Sequence, residues 1–291
     1  MARLHTSSVT VRVPASSANL GPGFDALGVA LTLHATVGTG PAPDGARTVD
    51  QYHPASIAFD RAGGRGELWV RSPIPMGRGL GYSGAMRVGG ALAGVAQSAQ
   101  LHEPGRPGDD VASRVFELTA ELEGHPDNVA ASLYGGVVVA AGQRVARVPM
   151  AFDPAIVVWI PEAMTSTERS RTSLPATVSR ADAVFNVARS ALLVAALANG
   201  DVQALRDATD DRLHQPQRLA AAPASAAALE LGLEAGAWCG WLSGSGPTVA
   251  FMCASDAADG VAARLPGQGR PRVLRIDHDG ALLEPVATTA A

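Results

Sequence analysis

A glycine-rich run decides the fold of this chain: Pro73-Ile74-Pro75-Met76-Gly77-Arg78-Gly79-Leu80-Gly81-Tyr82-Ser83-Gly84-Ala85. It follows a short apolar segment, Leu68 to Val70, that is typical of a strand, and it precedes a segment with a helical pattern, Ala85 to Gln100. Glycines let the main chain approach an anion closely, and the unpaired N–H groups at a helix start attract phosphate oxygens. The run therefore predicts a loop that binds a polyphosphate, with a simple tight turn as the alternative interpretation.

The composition narrows the chemistry further, because the chain contains no lysine and all 23 of its basic residues are arginines. A P-loop needs a lysine for the β- and γ-phosphates, a protein kinase needs its strand lysine, and a pyridoxal enzyme needs a lysine for its Schiff base. The composition excludes these three classes, so a phosphate-binding loop here has to rely on main-chain amides.

The bulk properties argue against several partners. The formal net charge of -4 over 291 residues gives no general attraction to nucleic acid or to anionic lipid. We see no apolar run that approaches the roughly 18 residues needed to span a bilayer, and we expect a cytoplasmic protein. The two cysteines, Cys239 and Cys253, lack a histidine at metal-ligand spacing and are interpreted as core residues.

Helical and strand patterns alternate irregularly along the chain. Apolar residues at every second position predict strands near residues 9–13 and 31–37. Apolar stripes predict helices from Val111 to Glu123 and from Ala181 to Ala198. This mixture predicts the α+β class.

A proline-bounded segment, Pro149 to Pro154, is the best candidate for a domain boundary. We therefore divide the chain into an N-terminal domain, residues 1–152, which carries the glycine-rich loop, and a C-terminal domain, residues 153–291. The length of 291 residues suits two domains of ordinary size.

The run from Pro73 to Ala85 resembles the phosphate loop of the GHMP small-molecule kinases, P-x-x-x-G-L-G-S-S-A-A. Asn19-Leu20-Gly21-Pro22-Gly23-Phe24-Asp25 resembles the first motif of that family in its homoserine kinase form, and Leu242-Ser243-Gly244-Ser245-Gly246-Pro247-Thr248 resembles the third. Three further segments are similar to the homoserine kinase branch: Glu121 to Ala130, Ser166 to Arg171, and Asp211 to Arg218. The matches keep the order of the family and extend over most of the chain.

The resemblance implies a two-domain GHMP kinase fold. Its N-terminal domain would be like domain 2 of ribosomal protein S5, its C-terminal domain would be ferredoxin-like, and the active site would lie in the cleft between them. It also implies ATP as co-substrate, Mg²⁺ as cofactor, a homodimer, and phosphorylation of the hydroxyl of L-homoserine to O-phospho-L-homoserine in threonine biosynthesis.

By the same resemblance, the nucleotide site consists of the residues Pro75, Gly77, Arg78, Gly79, Leu80, Gly81, Tyr82, Ser83 and Gly84. Ser83 would bind Mg²⁺ and phosphate oxygens, and Glu121 would be its acidic partner at the metal. Without the resemblance, Glu121 would be interpreted as a solvated helix charge.

The acceptor site needs different groups. A carboxylate suits a planar bidentate donor, and Arg171 and Arg218 match the family positions that supply one. Asn19, Asp25 and Asn128 offer oxygen acceptors for an ammonium group and a hydroxyl.

For catalysis we select Asn128, Asp25 and Arg171. Phosphoryl transfer through a loose transition state depends on positioning more than on a strong base. The sequence therefore leaves three options open: no base at all, Asp25, or Asp127.

Three residues depart from the family pattern in the loop region. Tyr82 stands for a serine, Gly84 for an alanine, and Arg87 for a small residue within the following helix. Residues 50–66 are also shorter and richer in glycine than an adenine-facing helix would require. Tyr82 and Arg87 motivate one alternative to a homoserine kinase, a degenerate sensor without catalysis. A second alternative is a GHMP kinase for another small hydroxylated acceptor.

Overall fold

The computed structural model describes residues 8–101, 103–164 and 167–285. Its strands are β1 Thr10–Ala18, β2 Leu27–Thr39, β3 Arg47–Val49, β4 Leu68–Arg71, β5 Val137–Ala141, β6 Arg144–Val148, β7 Ala155–Pro161, β8 Cys239–Leu242, β9 Val249–Cys253, β10 Gly269–Arg275 and β11 Leu282–Leu283. Its helices are α1 Pro54–Arg61, α2 Tyr82–Ala99, α3 Asp109–Glu123, α4 Asp127–Tyr134, α5 Thr167–Thr172, α6 Arg180–Asn199, α7 Leu205–Ala208, α8 Gln215–Ala220, α9 Pro223–Glu234 and α10 Ala258–Arg264, together with a short 3₁₀ turn.

The first sheet is antiparallel and is built around β2. In the described part of the chain it has seven strands, with the order β11-β1-β2-β4-β3 and with β5 and β6 attached to the other half of β2. The long β2 pairs with β1 along one edge, while its other edge pairs with β5 near Leu27 and with β4 near Thr39. The predicted alternation at residues 9–13 and 31–37 is confirmed, since Val11, Val13, Leu31 and Ala35 are fully buried.

Helices α2 and α4 cover one face of this sheet, and α1 and α3 pack against α2. The close packing of α1 on α2 depends on a glycine, because a Cβ at Gly90 would lie 2.0 Å from the carbonyl oxygen of Ala55. Helix α2 begins at Tyr82 rather than at the predicted Ala85, so the end of the glycine-rich run forms its first turn.

The second sheet is antiparallel, with the order β10-β7-β9-β8. Helices α9 and α10 pack on it, and the buried aromatic rings of Trp159 and Phe251 contribute to the core between them. The β-branched run in β7, AIVVWIP, is buried throughout. These elements form the C-terminal half of the mixed α and β architecture.

After the second sheet, the chain returns to the first sheet. Strand β11 pairs with β1 in the first sheet, through Val11 with Leu283 and Arg12 with Leu282. The division at residues 152 and 153 stays a prediction, and the last strand lies across it.

Helix α6 corrects one expectation from the sequence. By length and composition it could span a membrane, although no sequence run was expected to reach that length. Single helices of this length and composition also occur in proteins that do not enter a membrane. Here Leu193 and Leu197 pack into the core, and the buried Asn186 hydrogen-bonds to Asp211 at 2.7 Å.

Candidate active site

The glycine-rich loop joins β4 to the start of α2 and is held from the C-terminal half. Gly81, with φ of 66°, precedes the first residue of the helix. The carbonyl oxygen of Gly79 accepts a hydrogen bond of 2.5 Å from the Ser243 hydroxyl, and a Cβ at Gly79 would lie 2.2 Å from the Ser243 carbonyl oxygen. The loop can therefore adopt this path only with glycine at that position, and it presents the N-terminus of an 18-residue helix to the cleft.

A cavity of about 310 Å³ lies against this loop. It is lined from the loop by Pro75, Met76, Gly77, Arg78, Gly79, Gly81, Tyr82 and Ser83, and from the other side by Pro54, Glu123, His125, Asn128, Gly244, Ser245 and Gly246. Seven of the nine predicted nucleotide-site residues therefore line one cavity. Leu80 and Gly84 do not, because Leu80 is fully buried and Gly84 packs behind the loop, where a Cβ would lie 3.1 Å from the Cβ of Asn128.

The structure corrects the acidic partner of Ser83. The Ser83 hydroxyl donates to Oε2 of Glu123 at 2.8 Å, whereas the side chain of Glu121 is 72% exposed and lies 4.0 Å from the guanidinium of Arg61. Residues two apart on an α-helix are rotated by about 200°, so Glu121 and Glu123 point to nearly opposite sides of α3. Glu123, and not Glu121, faces the loop.

Arg87 contacts both Ser83 and Glu123. Its Nε lies 2.6 Å from Oε2 of Glu123 and 3.3 Å from the Ser83 hydroxyl, and its NH1 donates to the carbonyl oxygen of Leu122 at 2.6 Å. Arg87 therefore does not lie on the surface; it fixes the carboxylate of Glu123 against the first turn of α2.

Tyr82 turns its phenol away from the centre of the loop. The hydroxyl lies 3.0 Å from Nε2 of His53, at the start of α1, and 3.5 Å from NH2 of Arg47. The side chain is 9% exposed and belongs to the hydrophobic core. Burial, and then the charge of Arg47, lowers the pKa of His53. Tyr82 thus ties the loop to α1 and forms one wall of the cavity.

Arg78 uses its side chain to connect the two halves. Its guanidinium donates to the carbonyl oxygens of Glu162 at 2.7 Å and Ala163 at 3.3 Å, just after β7. Because the guanidinium is bound there, Arg78 lines the cavity mainly with its main chain and the methylene groups of its side chain.

Asp25 and Arg171 form a bidentate ion pair. The guanidinium NH1 donates to Oδ2 of Asp25 at 2.9 Å, and NH2 donates to Oδ1 at 2.5 Å. About a third of each side chain is exposed. Asp25, with φ of 58°, ends the turn of residues 19–25, in which Asn19, Leu20 and Gly21 also have positive φ, and Arg171 comes from α5. Two predicted acceptor-site residues of opposite charge thus meet; Ser166, the start of that predicted segment, lies outside the described residues.

Arg218 lies beside this pair and is 6% exposed. Its guanidinium carbon is 5.3 Å from the ring centre of Phe24, and that of Arg171 is 5.5 Å from the same ring. Burial, with the positive charge of Arg171, lowers the pKa of Arg218 to about 10. The Nε of Arg218 has no hydrogen-bond partner within the described residues. Both arginines therefore converge on one aromatic ring.

Asn19 has the contacts of a loop-positioning residue. Its Oδ1 accepts from the main-chain N–H of Asp25 at 3.1 Å, and its Nδ2 donates to the carbonyl oxygen of Gly244 at 3.0 Å. Because the side chain is 3% exposed and its amide is used on both sides, it orients Asp25. A direct contact of Asn19 with the acceptor stays a prediction.

Asn128, in the first turn of α4, lies at the loop cavity. Its Oδ1 accepts from the Ser16 hydroxyl at 2.9 Å. The neighbouring Asp127 is 2% exposed, and its Oδ1 accepts from the main-chain N–H of Asn128 at 2.7 Å and lies 3.1 Å from Nδ1 of His125. The carboxylate of Asp127 is therefore already committed to neighbouring groups.

His125 joins the two sides of the site, because it lines the loop cavity and also a neighbouring cavity that Asp25 lines. Burial by itself would lower the pKa of His125, but the hydrogen bond and charge of Asp127, with the charge of Glu123, together raise it. Sequence reasoning missed His125 and Glu123 as site residues, although both lie in the segment that resembles the family.

Comparison with known proteins places this arrangement in a family. Residues 49–136 match the family described as the GHMP kinases N terminal domain, and residues 193–270 match GHMP kinases C terminal. A homoserine kinase of Thermus thermophilus is 42% identical over 257 residues, covering 82% of this chain and 85% of its own. Homoserine kinase of Streptomyces avermitilis is 40% identical over 304 residues, covering 97% of each chain.

Solved structures show the same fold. A homoserine kinase from Cytophaga hutchinsonii superposes with a TM-score of 0.82 at 23% identity, covering 98% of this chain and 99% of its own. Mevalonate kinase of L. major superposes with a TM-score of 0.68 at 15% identity, covering 99% of this chain and 100% of its own. The expected two-domain α+β fold is confirmed, and the chain belongs to the homoserine kinases within the GHMP kinase family.

Proposed function

We propose that this protein transfers the γ-phosphoryl group of ATP to the hydroxyl of L-homoserine, giving O-phospho-L-homoserine. The observation that carries the proposal is the bidentate pair of Asp25 and Arg171, which offers both charges that an amino-acid zwitterion needs. Asp25 lines a cavity that shares His125 with the cavity at the glycine-rich loop. The identity of 42% to a homoserine kinase over 82% of the chain supports the same acceptor.

The acceptor binds by exchanging ion pairs. Its carboxylate takes the place of Asp25 at the guanidinium of Arg171, and its ammonium group takes the place of Arg171 at the carboxylate of Asp25. Arg218 adds a second guanidinium for the carboxylate. A hydroxy compound that lacks either charge would break the resident ion pair without replacing it, so the site selects zwitterions.

The acceptor hydroxyl is oriented by Asn128, whose amide lines the cavity next to the loop. The described contacts support transfer without a dedicated base, because Asp127 is buried with its partners and the carboxylate of Asp25 would be occupied by the ammonium group of the acceptor. Catalysis then comes from alignment of the hydroxyl with the γ-phosphoryl group and from the main-chain N–H groups of the loop, which suits a loose transition state. The catalytic roles of Asn128, Asp25 and Arg171 stay predictions.

Mg²⁺ would be held by Ser83 and Glu123. The hydroxyl and carboxylate oxygens are 2.8 Å apart, and one or two carboxylates with phosphate oxygens are the ligands that Mg²⁺ prefers. The described residues contain no group of three or more histidine, cysteine, aspartate or glutamate side chains that could hold a metal alone, so the nucleotide has to complete the site. When bound, the ion neutralises charge on the β- and γ-phosphates.

A coupled assay of ADP release tests the proposal, with L-homoserine, L-serine, L-threonine and mevalonate as acceptors. We expect turnover with L-homoserine at a kcat/KM at least about 100-fold above that for the others, since the site recognises both charges and chain length. Turnover only with another acceptor would support the alternative of a GHMP kinase with a different substrate. Binding of ATP and homoserine without ADP release would support the sensor. The homodimer and the cytoplasmic location stay predictions.

A further inference from the structure

His214 is a buried histidine that has no role in the acceptor binding or phosphoryl transfer proposed above. It has no exposed surface and lies just before α8, in the segment that carries Arg218. Its Nε2 is 2.8 Å from the carbonyl oxygen of Gly21, and its Nδ1 is 3.2 Å from NH1 of Arg218. The imidazole therefore bridges the turn that carries Asp25 and the guanidinium of Arg218.

The two partners fix the tautomer of the imidazole. A carbonyl oxygen only accepts hydrogen bonds, so Nε2 has to carry the hydrogen that points to Gly21; a guanidinium only donates, so Nδ1 has to present its lone pair to Arg218. A protonated imidazole would direct an N–H group at the guanidinium. Burial lowers the pKa of His214, with the positive charge of Arg218 acting in the same direction and the negative charge of Asp211 opposing it.

The groups around the imidazole hold it in place. The ring stacks on Phe24 with a centroid distance of 5.0 Å and an interplanar angle of 24°. From its own segment, Oδ2 of Asp211 accepts from the main-chain N–H of His214 at 2.9 Å and lies 3.6 Å from its Nε2. The charged groups that face His214 are thus Asp211 and Arg218, with Asp25 beyond Phe24.

Arg218 needs such a support. Its guanidinium lies on the same Phe24 ring as that of Arg171, and two like charges repel each other. Its other contact through NH1 is to the carbonyl oxygen of Gly244 at 3.2 Å, and its Nε is without a partner among the described side chains and main-chain groups. The lone pair of His214 therefore supplies a directional acceptor for a guanidinium that has no carboxylate within ion-pair distance among the described side chains.

We propose that His214, as the neutral tautomer with its hydrogen on Nε2, is a positioning residue whose Nδ1 lone pair sets the direction in which Arg218 meets the acceptor carboxylate. This rests on the proposed function, in which Arg218 binds that carboxylate. His214 itself touches neither the acceptor nor the phosphates in this role.

Two matched variants separate the two nitrogens. In His214→Asn, the amide oxygen can replace Nδ1 as the acceptor for Arg218, and in His214→Gln the amide nitrogen can replace Nε2 as the donor to Gly21. We expect His214→Gln to raise the KM for homoserine at least about 10-fold, since a hydrogen bond to a charged group is lost. His214→Asn should stay within about threefold of wild type, and the KM for ATP and kcat should stay within about twofold in both.

An equal rise of the homoserine KM in both variants, or an equal loss of ATP affinity and kcat, would show a structural role only and overturn the proposal. Turnover of homoserine by the wild type tests the proposed function separately, before any variant is compared. ¹⁵N NMR of the wild-type protein at pH 7 reports directly which nitrogen of each imidazole carries hydrogen. The signal that is missing from the spectrum of His214→Asn identifies His214. A neutral ring with hydrogen on Nε2 supports the proposal, and hydrogen on Nδ1 or an imidazolium would contradict it.

Discussion

The nucleotide side and the acceptor side of the cleft are built on different principles. The nucleotide side is formed mainly by main chain, and two of its side chains, Tyr82 and Arg87, depart from the family pattern and point to partners outside the loop. The acceptor side is formed by charged side chains, and Asp25, Arg171 and Arg218 all match the family pattern. A binding site made of backbone amides can tolerate substitution of the side chains around it. A binding site made of guanidinium and carboxylate groups loses its ligand contacts when those side chains are substituted.

The largest effect of a substitution is expected at Glu123, the side-chain carboxylate on which the main-chain nucleotide side depends. Glu123→Gln should lower kcat/KM about 100-fold or more, because it removes the carboxylate proposed to hold Mg²⁺ and leaves Arg87 without its carboxylate partner. Steady-state kinetics over a Mg²⁺ titration measures this. Glu121→Gln, on the exposed side of the same helix, is the matched control and should behave as wild type; a larger loss in that variant would restore Glu121 to the site.

On the acceptor side, Arg171→Ala should raise the KM for homoserine by about 10- to 150-fold, since a hydrogen bond to a charged group contributes about 1.5–3 kcal/mol. The KM for ATP should change much less. Arg212→Ala, which removes a guanidinium that is 52% exposed, provides the control. If the homoserine KM is the same in Arg171→Ala and wild type, Arg171 does not bind the acceptor.

His125 connects the two sides and gives a pH dependence. Its pKa is raised in the folded protein by Asp127 and Glu123 against the effect of burial, so its stabilising contribution is fully present below the unfolded value of about 6.5 and is lost as the pH rises through the folded value. The Tm of His125→Gln should therefore fall below that of wild type most at pH 6 and least at pH 9. A Tm difference between His125→Gln and wild type that stays constant from pH 6 to pH 9 would refute the linkage.

The smallest effect is expected at Tyr82. Tyr82→Phe removes a hydroxyl that lies 3.0 Å from Nε2 of His53. The loss of this hydrogen bond should lower the free energy of unfolding by about 1 kcal/mol, or the Tm by a few degrees, and should change the KM for ATP less than about threefold. Tyr52→Phe, at a side chain that is 78% exposed, is the control for losing a phenol hydroxyl. Tighter ATP binding by Tyr82→Ser would instead mean that the ring obstructs the nucleotide.

The sequence predicted the features that depend on local pattern. The loop, the alternating strands and the helices α2, α3 and α6 follow from glycine placement and apolar periodicity. It could not decide which carboxylate of α3 faces Ser83, because Glu121 and Glu123 differ only in the rotation of the helix against α2. It also could not show that β11 returns to β1, or that Asn19 uses both ends of its amide within the protein, since these contacts join distant parts of the chain.

Because the chain has no lysine, main-chain amides of residues 77–83, with a cation at Ser83 and Glu123, would have to hold the polyphosphate. The decisive experiment is a crystal structure with a non-hydrolysable ATP analogue, Mg²⁺ and L-homoserine. We expect the β- and γ-phosphates against the N–H groups at the start of α2, the ion between Ser83 and Glu123, and the homoserine carboxylate on Arg171. Phosphates bound elsewhere, with the Tyr82 ring within the loop, would contradict this expectation.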